Sequence, residues 1–351
     1  MTAVNQNRLA KELELSQTTV SRALANHPSI NAETKAMVWN LAAQLGYKIT
    51  SPSKSKATRE KNGTTVIGIV IAIPKKHRGQ TETSQSILKG IAERTASEKV
   101  SLDIVYQEPS AHNLKTLQKR IRQTKWQGCI LIHPMAEDIV EMLSNTIPCV
   151  SVVENYRRKF IDSVDVDQIE TVGAVVRRLY EKGHRKIGFV SWVYDVPTPW
   201  VYHRFGAYVE NLYQLGLNLR EKDVINIQPL ERLGPNRTCN RIIDSIKNGT
   251  TAFVCAADHQ AYRLSKLLTS QGLNIPADCT LTGFDGINPP ANCQQIPTIR
   301  VPYDEIGRSA FHQLLHRIEF PTAPRRHVQV DGELFAMNKI HTVQTTLKEV
   351  I

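Results

Sequence analysis

The stretch "LELSQTTVSRALANHP", Leu13 to Pro28, decides how the N-terminal part of this chain is read. Val20, Ala23 and Leu24 fall at helical spacing and define one apolar face. Ser16, just ahead of that face, is a residue type that caps helix N-termini. With the apolar side turned inward, Gln17, Thr18, Ser21 and Arg22 point away from any core. Upstream, Asn5 caps a first short helix built on Leu9, Ala10 and Leu13; downstream, Asn31 caps a third carrying Met37, Val38, Leu41 and Leu45. Two short helices joined tightly, the second exposing hydrogen-bonding side chains at its N-terminal end, make a helix-turn-helix.

Those exposed residue types suit the edges of base pairs. Arginine gives two hydrogen bonds to guanine, glutamine pairs with adenine, and a threonine methyl contacts the methyl of thymine. The hydroxyls of Ser16 and Thr19 reach phosphates, as serine and threonine commonly do. Asn5 at the start of the first helix, and Asn26 and His27 at the end of the second, complete the candidate DNA contacts within the helical segment. The bland alternative is an ordinary solvated helix.

Working outward, residues 49–63, "ITSPSKSKATREKNG", hold almost no large apolar side chain and cannot build a core. Lys54, Lys56, Arg59 and Lys61 face a single acid, Glu60, so the segment is a basic linker suited to phosphates. From residue 64 onward, apolar strand runs such as "TVIGIVIAI", "GCILIH", "KIGFVSW" and "TAFVCAA" alternate with amphipathic helices. Several of these helices end in glycine. Such alternation means parallel sheets covered by helices, and its length fits two adjacent sheets better than one. The predicted organisation is an all-α helix-turn-helix segment (1–48), a linker (49–63) and an α/β core (64–351) of two interleaved subdomains.

Composition narrows the function classes. The chain of 351 residues carries a formal net charge of +11, which favours a polyanionic partner without giving specificity. No apolar run approaches the roughly 18–20 residues of a membrane span, and the first residues lack a secretory pattern. Six cysteines without CxxC spacing, with Cys129 and Cys255 inside strand runs, read as apolar fillers in a reducing cytoplasm. No glycine-rich phosphate loop, nucleophile elbow or metal-spaced cluster is present, so neither cofactor nor metal is expected and an enzyme reading has no support.

The chain resembles the lactose-repressor (LacI/GalR) family of bacterial transcriptional regulators. The resemblance rests on "LSQTTVSRALANHPSINAETKAMVWNLAAQLGY", then "VIGIVI", "QGCILI", "GHRKIGFV", "HRFGAY", "ADHQAYRLSKLLTSQGLNIPADCTLTGFDG" and "IPTIRVPYDEIGRSA", in order and spacing. It implies a cytoplasmic dimeric regulator, usually a repressor, with a DNA-binding headpiece and a core like a periplasmic binding protein. The headpieces read near-palindromic double-stranded operator DNA, and a small sugar-like effector in the core shifts DNA affinity. The tail after His341 is short for a tetramerising coil, so a homodimer is expected. Carried over by position, Arg204 in "HRFGAY" and Asp285 in "GFDG" bind the effector, and Trp200, four residues before Arg204, offers a ring for stacking on a sugar. His184 in "GHRK" matches a structural position at a helix end.

Four positions depart from the family pattern. Glu14 stands in the inter-helix turn where glycine is usual, and Ala25 where asparagine is common. The linker lacks the leucine with which hinge helices of the family wedge the minor groove, predicting milder bending of the operator. Ala257 replaces an asparagine of the pocket. A regulator with a vestigial, effector-independent core therefore stands as the alternative.

Overall fold

The structure, a computed structural model, describes residues 5–45, 47, 65–74, 82–95, 98–110, 114–156, 159–227 and 231–343. The candidate phosphate contacts Lys54, Lys56, Arg59 and Lys61 lie outside the described residues.

Three helices open the chain: α1 (Gln6–Glu12), α2 (Gln17–Leu24) and α3 (Ala32–Gln44). Their starts follow from local chemistry. Asn5 accepts from the Arg8 amide at 3.0 Å, Ser16 from Thr19 at 3.0 Å, and Asn31 from Thr34 at 2.7 Å. Glu14, between α1 and α2, sits at φ 54°, the left-handed region that costs a non-glycine residue roughly 1 kcal/mol. Leu9, Val20, Ala23, Val38 and Trp39 make the small core, and the Trp39 indole donates to the Ala23 carbonyl at 2.8 Å. The predicted inward set of α3 needs correction. Met37 and Leu41 are half-buried, while Lys35, Ala36, Val38, Trp39, Asn40 and Ala42 are all buried. The less buried stripe is Thr34, Met37, Leu41 and Gln44, so the inner side of α3 is the opposite one.

The chain divides into two compact units: Met1–Asp165, Asp195–Pro197 and Pro302–Val330 form the first, and the remaining three segments the second. The headpiece thus groups with the first unit. Unit 1 is built on β1 (Thr65–Ala72), α4 (Glu82–Thr95), β2 (Val100–Gln107), α5 (Leu114–Thr124), β3 (Gly128–Ile132), α6 (Glu137–Ser144), β4 (Cys149–Val152) and β5 (Asp162–Val166), joined by α11 (Tyr303–Glu319) and β11 (His327–Val330) from far along the chain. Its six strands lie in the order β11-β5-β4-β3-β1-β2. Pairing from β2 through β5 is parallel, with Ile67 opposite Gly128 and Cys129 opposite Cys149. One face carries Val70, Leu131 and Cys129 against Leu117 and Ile121 of α5 and Ile139 and Leu143 of α6.

Helices α4 and α11 pack closely because glycine lets them. A Cβ at Gly90 would strike the Asp304 carbonyl, and one at Gly307 the Ile87 carbonyl. The buried Arg317 of α11 forks onto Asp162 at 2.7 and 3.0 Å, which holds that carboxyl below its ordinary range despite burial.

Unit 2 holds α7 (Gln168–Glu181), β6 (Ile187–Val190), α8 (Pro199–Gln214), β7 (Val224–Ile225), α9 (Pro235–Lys247), β8 (Ala252–Cys255), α10 (Asp258–Ser270), β9 (Thr280–Thr282), β10 (Thr298–Arg300) and β12 (Glu333–Phe335). Its parallel sheet runs β7-β6-β8-β9, and β10 pairs antiparallel with β12. The glycines after α7, α8 and α10 (Gly183, Gly216 and Gly272) all have positive φ, as helix C-terminal stops require. All six cysteines are free thiols, five of them buried. Among the described residues no helix is long and apolar enough to cross a membrane, and no cluster suits a metal ion.

Candidate DNA-reading face and effector site

Helix α2 buries Val20 and Ala23 and leaves Gln17, Thr18, Ser21 and Arg22 exposed. The side chains of these four make no hydrogen bond or ion pair with any described residue, so their donors and acceptors are unspent. Ser16 and Thr19 are different. The Ser16 hydroxyl caps α2 and also meets the Thr19 hydroxyl at 2.8 Å, so both are partly committed within the helix. Asn5 is exposed but likewise capping. His27 is exposed, with Nδ1 2.7 Å from the Ser29 hydroxyl. Asn26 is set apart from the reading face. At φ 53° it donates its amide to Thr95 of α4 at 3.4 Å, and its own carbonyl oxygen is buried.

The second constellation lies wholly within unit 2. Pro199 opens α8 at a first-turn position where its missing N–H costs nothing. One turn on, Arg204 is 2 % exposed. Its Nε donates to Gln168 at 3.0 Å and its Nη1 to the Ala256 carbonyl at 2.5 Å, with an Asp285 oxygen 3.9 Å from Nη1. The guanidinium lies 4.4 Å from the Trp200 ring centroid and 3.5 Å from that of Phe284. Trp200 is 8 % exposed and meets Tyr194 edge-on at 5.5 Å. Its first task is therefore to hold Arg204, which takes up a ring face expected to stack on a sugar.

Asp285 follows Phe284 at φ 125°, a conformation that aspartate rarely adopts, and keeps 15 % of its side chain accessible. Its backbone is pinned by bonds with Ile299 and Val301, so the strain is held by the neighbouring strand. Beside it, Asp258 is fully buried at the start of α10 and accepts from Thr298 at 2.6 Å and the Ile287 amide at 2.9 Å. Burial first, and the Asp285 charge second, push its carboxyl up to about 7. Two further polar atoms in the loop after β6 and on α10, Trp192 Nε1 and Gln260 Oε1, are buried with no hydrogen-bond partner among the described residues. The Gln260 amide meanwhile donates to the Tyr194 hydroxyl at 2.7 Å. The arrangement joins a fixed cation, an accessible carboxylate, aromatic faces and unspent buried polar atoms, which is what a small polyhydroxyl ligand needs.

Gln168, the Ala256 carbonyl, Asp258 and Phe284 are absent from the sequence-derived set. Only the adjacency of Phe284 to Asp285 hinted at one of them. His184 is structural: it is 1 % exposed, with one nitrogen 2.8 Å from the Thr251 hydroxyl and the other 3.0 Å from the His341 carbonyl.

Residues 176–336 match the family model described as periplasmic binding protein-like domain. Among curated proteins, the HTH-type transcriptional repressor CytR of Escherichia coli (strain K12) is 25 % identical over 321 residues, 91 % of each chain. Among solved structures, the complex of the transcriptional regulator CelR with cellobiose is similar, with a TM-score of 0.66 at 17 % identity, covering 95 % of this chain and 99 % of that one. The lac repressor dimer bound to operator and the anti-inducer ONPF gives a TM-score of 0.62 at 17 % identity, covering 95 % and 98 %.

Proposed function

We infer that this chain, a member of the lactose-repressor family, is a sequence-specific DNA-binding transcriptional regulator whose operator affinity a small sugar-like effector controls. The observation that carries the reading is the pairing of two unlike sites on one chain. One is a capped helix with four unspent base-reading side chains; the other is the Arg204–Asp285 constellation inside a binding-protein-like unit. Full-length similarity to a repressor, and to regulators holding operator DNA or cellobiose, supports joining them. It acts as a homodimer on a near-palindromic site, in the cytoplasm beside the chromosome, and its relatives are regulators and not enzymes.

The division of roles follows from the chemistry. Arg22 and Gln17 read base edges, while hydroxyls and the linker cations hold phosphates. In unit 2, Asp285 accepts from an effector hydroxyl, and Arg204 offers its remaining N–H edge from between two rings. The effector changes DNA affinity only by as much as it prefers one conformation of the protein over another. The alternative, a regulator with an effector-independent core, gains from the bonds that tie Arg204 to the protein's own groups.

A melting assay across monosaccharides and disaccharides separates the two. The effector reading expects at least one sugar to raise the melting temperature of the protein but not of Asp285→Ala, and to change operator binding in a gel shift. Asp285→Ala should bind operator normally without sugar. Silence across the panel would favour the effector-independent core.

A further inference from the structure

At the C-terminal edge of the unit 2 sheet, two side chains hold buried hydrogen-bonding atoms that no described residue engages. Strands β6 and β8 pair with Val190 opposite Cys255, so the loop after β6 and the first turn of α10 leave the sheet side by side. Trp192 stands in that loop and Gln260 in that turn. Gln260 is fully buried, like Ala261 and Leu264 beside it. Its amide nitrogen donates to the Tyr194 hydroxyl at 2.7 Å, while its Oε1 has no hydrogen-bond partner among the described residues. The same holds for Trp192 Nε1. Buried polar groups are paired in nearly all folded proteins, and the carboxyl ends of parallel strands are where such sheets bind ligands. Two unspent atoms at this edge therefore mark a place for an outside partner.

Ring contacts join this pair to the Arg204–Asp285 constellation. Tyr194 meets Trp200 edge-on, and Trp200 lies against the Arg204 guanidinium. The Trp192 ring meets His259 edge-on with centroids 6.2 Å apart. The two centres differ in charge: arginine and aspartate make up one, an indole N–H and an amide oxygen the other. The indole only donates and the amide oxygen only accepts, so a hydroxyl, which does both, suits either atom. A carboxylate or a fully charged phosphate only accepts. Placed here, it would set an acceptor against the buried Gln260 oxygen. Arg263, exposed and 4.7 Å from the Trp192 ring centroid, is a cation that would draw an anion to this end, so charged probes belong in the test.

We propose that Trp192 and Gln260 form a second polar subsite of the effector site, which takes uncharged hydroxyls and selects neutral sugars over phosphorylated or acidic ones. The proposal rests on the effector reading and adds to it a ligand class and two residues outside the Arg204–Asp285 set. It also accounts for a glutamine at a fully buried position, where an apolar side chain would fold at lower cost.

The test is calorimetric titration of the full chain with glucose, ribose and cellobiose, and with glucose 6-phosphate, ribose 5-phosphate and cellobionate as their charged counterparts. At least one neutral sugar should bind, and its charged counterpart should bind about tenfold more weakly or worse. Trp192→Phe keeps a ring and removes only the unspent N–H. It should lower affinity for that sugar about tenfold and leave the melting temperature of the sugar-free protein unchanged. Gln260→Met removes the acceptor and should weaken the same sugar to a similar extent; because it also loses the bond to Tyr194, its readout is sugar affinity alone. A purely structural role for the indole N–H predicts the reverse for Trp192→Phe, a lower melting temperature with affinity unchanged, and would overturn the proposal. So would a charged counterpart that binds as tightly as the neutral sugar, or unmodified sugar affinity in both variants. If neither neutral nor charged sugars bind the unmodified protein, the effector reading itself fails and the subsite falls with it, a result distinct from the others.

Discussion

On α2, Gln17, Thr18, Ser21 and Arg22 stand exposed with unspent hydrogen-bonding groups, whereas in unit 2 Arg204 is buried, hydrogen-bonded twice and sandwiched between rings. The contrast reflects what each partner brings. DNA arrives with its own rigid pattern of donors, acceptors and phosphates, so side chains that read it wait in water at little cost to folding. A small ligand brings few groups, so a site for one has to be organised in advance, and on the proposed reading the bonds of Arg204 that also hold unit 2 together do this. Changes on α2 should therefore alter binding and spare stability. Changes around Arg204 should alter both.

The largest expected effect breaks the buried site. Arg204→Ala removes two buried hydrogen bonds, to Gln168 and to the Ala256 carbonyl, and opens a void between two rings, so it should destabilise the protein by about 3–5 kcal/mol. Urea unfolding monitored by tryptophan fluorescence measures this, and a loss below about 1 kcal/mol would show that Arg204 is not structural. Next comes Arg22→Ala, expected to cost about 1–3 kcal/mol of operator affinity while leaving the melting temperature unchanged. Equal weakening on every operator variant would make Arg22 a phosphate contact only.

A smaller effect is expected at the inter-helix turn. Glu14→Gly relieves a left-handed backbone and should stabilise the headpiece by at most about 1 kcal/mol, seen as slower amide exchange in α1 and α2. Destabilisation instead would mean that the glutamate side chain contributes more than its backbone strain costs.

The subtlest effect is a pH slope in unit 2. With a carboxyl at about 7, folded Asp258 keeps a proton that the unfolded chain has released above its ordinary value of 3.8. Stability from this group is therefore lost as pH rises from about 4 to about 7. His184 works oppositely. Burial lowers it from 6.5 to about 4, so the unfolded chain takes up the extra proton and stability is lost as pH falls through that window. Asp258→Asn should remove the first component and leave unit 2 gaining stability from pH 4 to 6.5. Calorimetry of both proteins across that range decides, and parallel curves would show that Asp258 titrates normally.

The two regions also differed in how far the sequence disclosed them. The exposed face of α2 was legible from local pattern alone, because caps at Asn5, Ser16 and Asn31 and a 3.6-residue period settle which side chains face out. Arg204 and Asp285 were reached only through family resemblance, since neither sits in a local motif with chemistry of its own. Gln168, Ala256 and Asp258 stayed hidden because two strand-to-helix connections far apart in sequence bring them together, and no spacing in one segment encodes that. The outer side of α3 was misread for a related reason. Apolar residues are spread around α3 among Glu33, Lys35, Asn40 and Gln44, so no face stands out in its sequence, and Met37 and Leu41 were chosen where Ala36 and Trp39 are the buried ones.

The central claim is that exposed side chains of α2 read base sequence, and selection from a random duplex pool tests it most directly. The full-length protein should enrich a near-palindrome of two half-sites, and Arg22→Ala should enrich the same palindrome with one base pair in each half-site relaxed. A pool that stays random with the unmodified protein, or an identical enriched site with Arg22→Ala, would contradict the account.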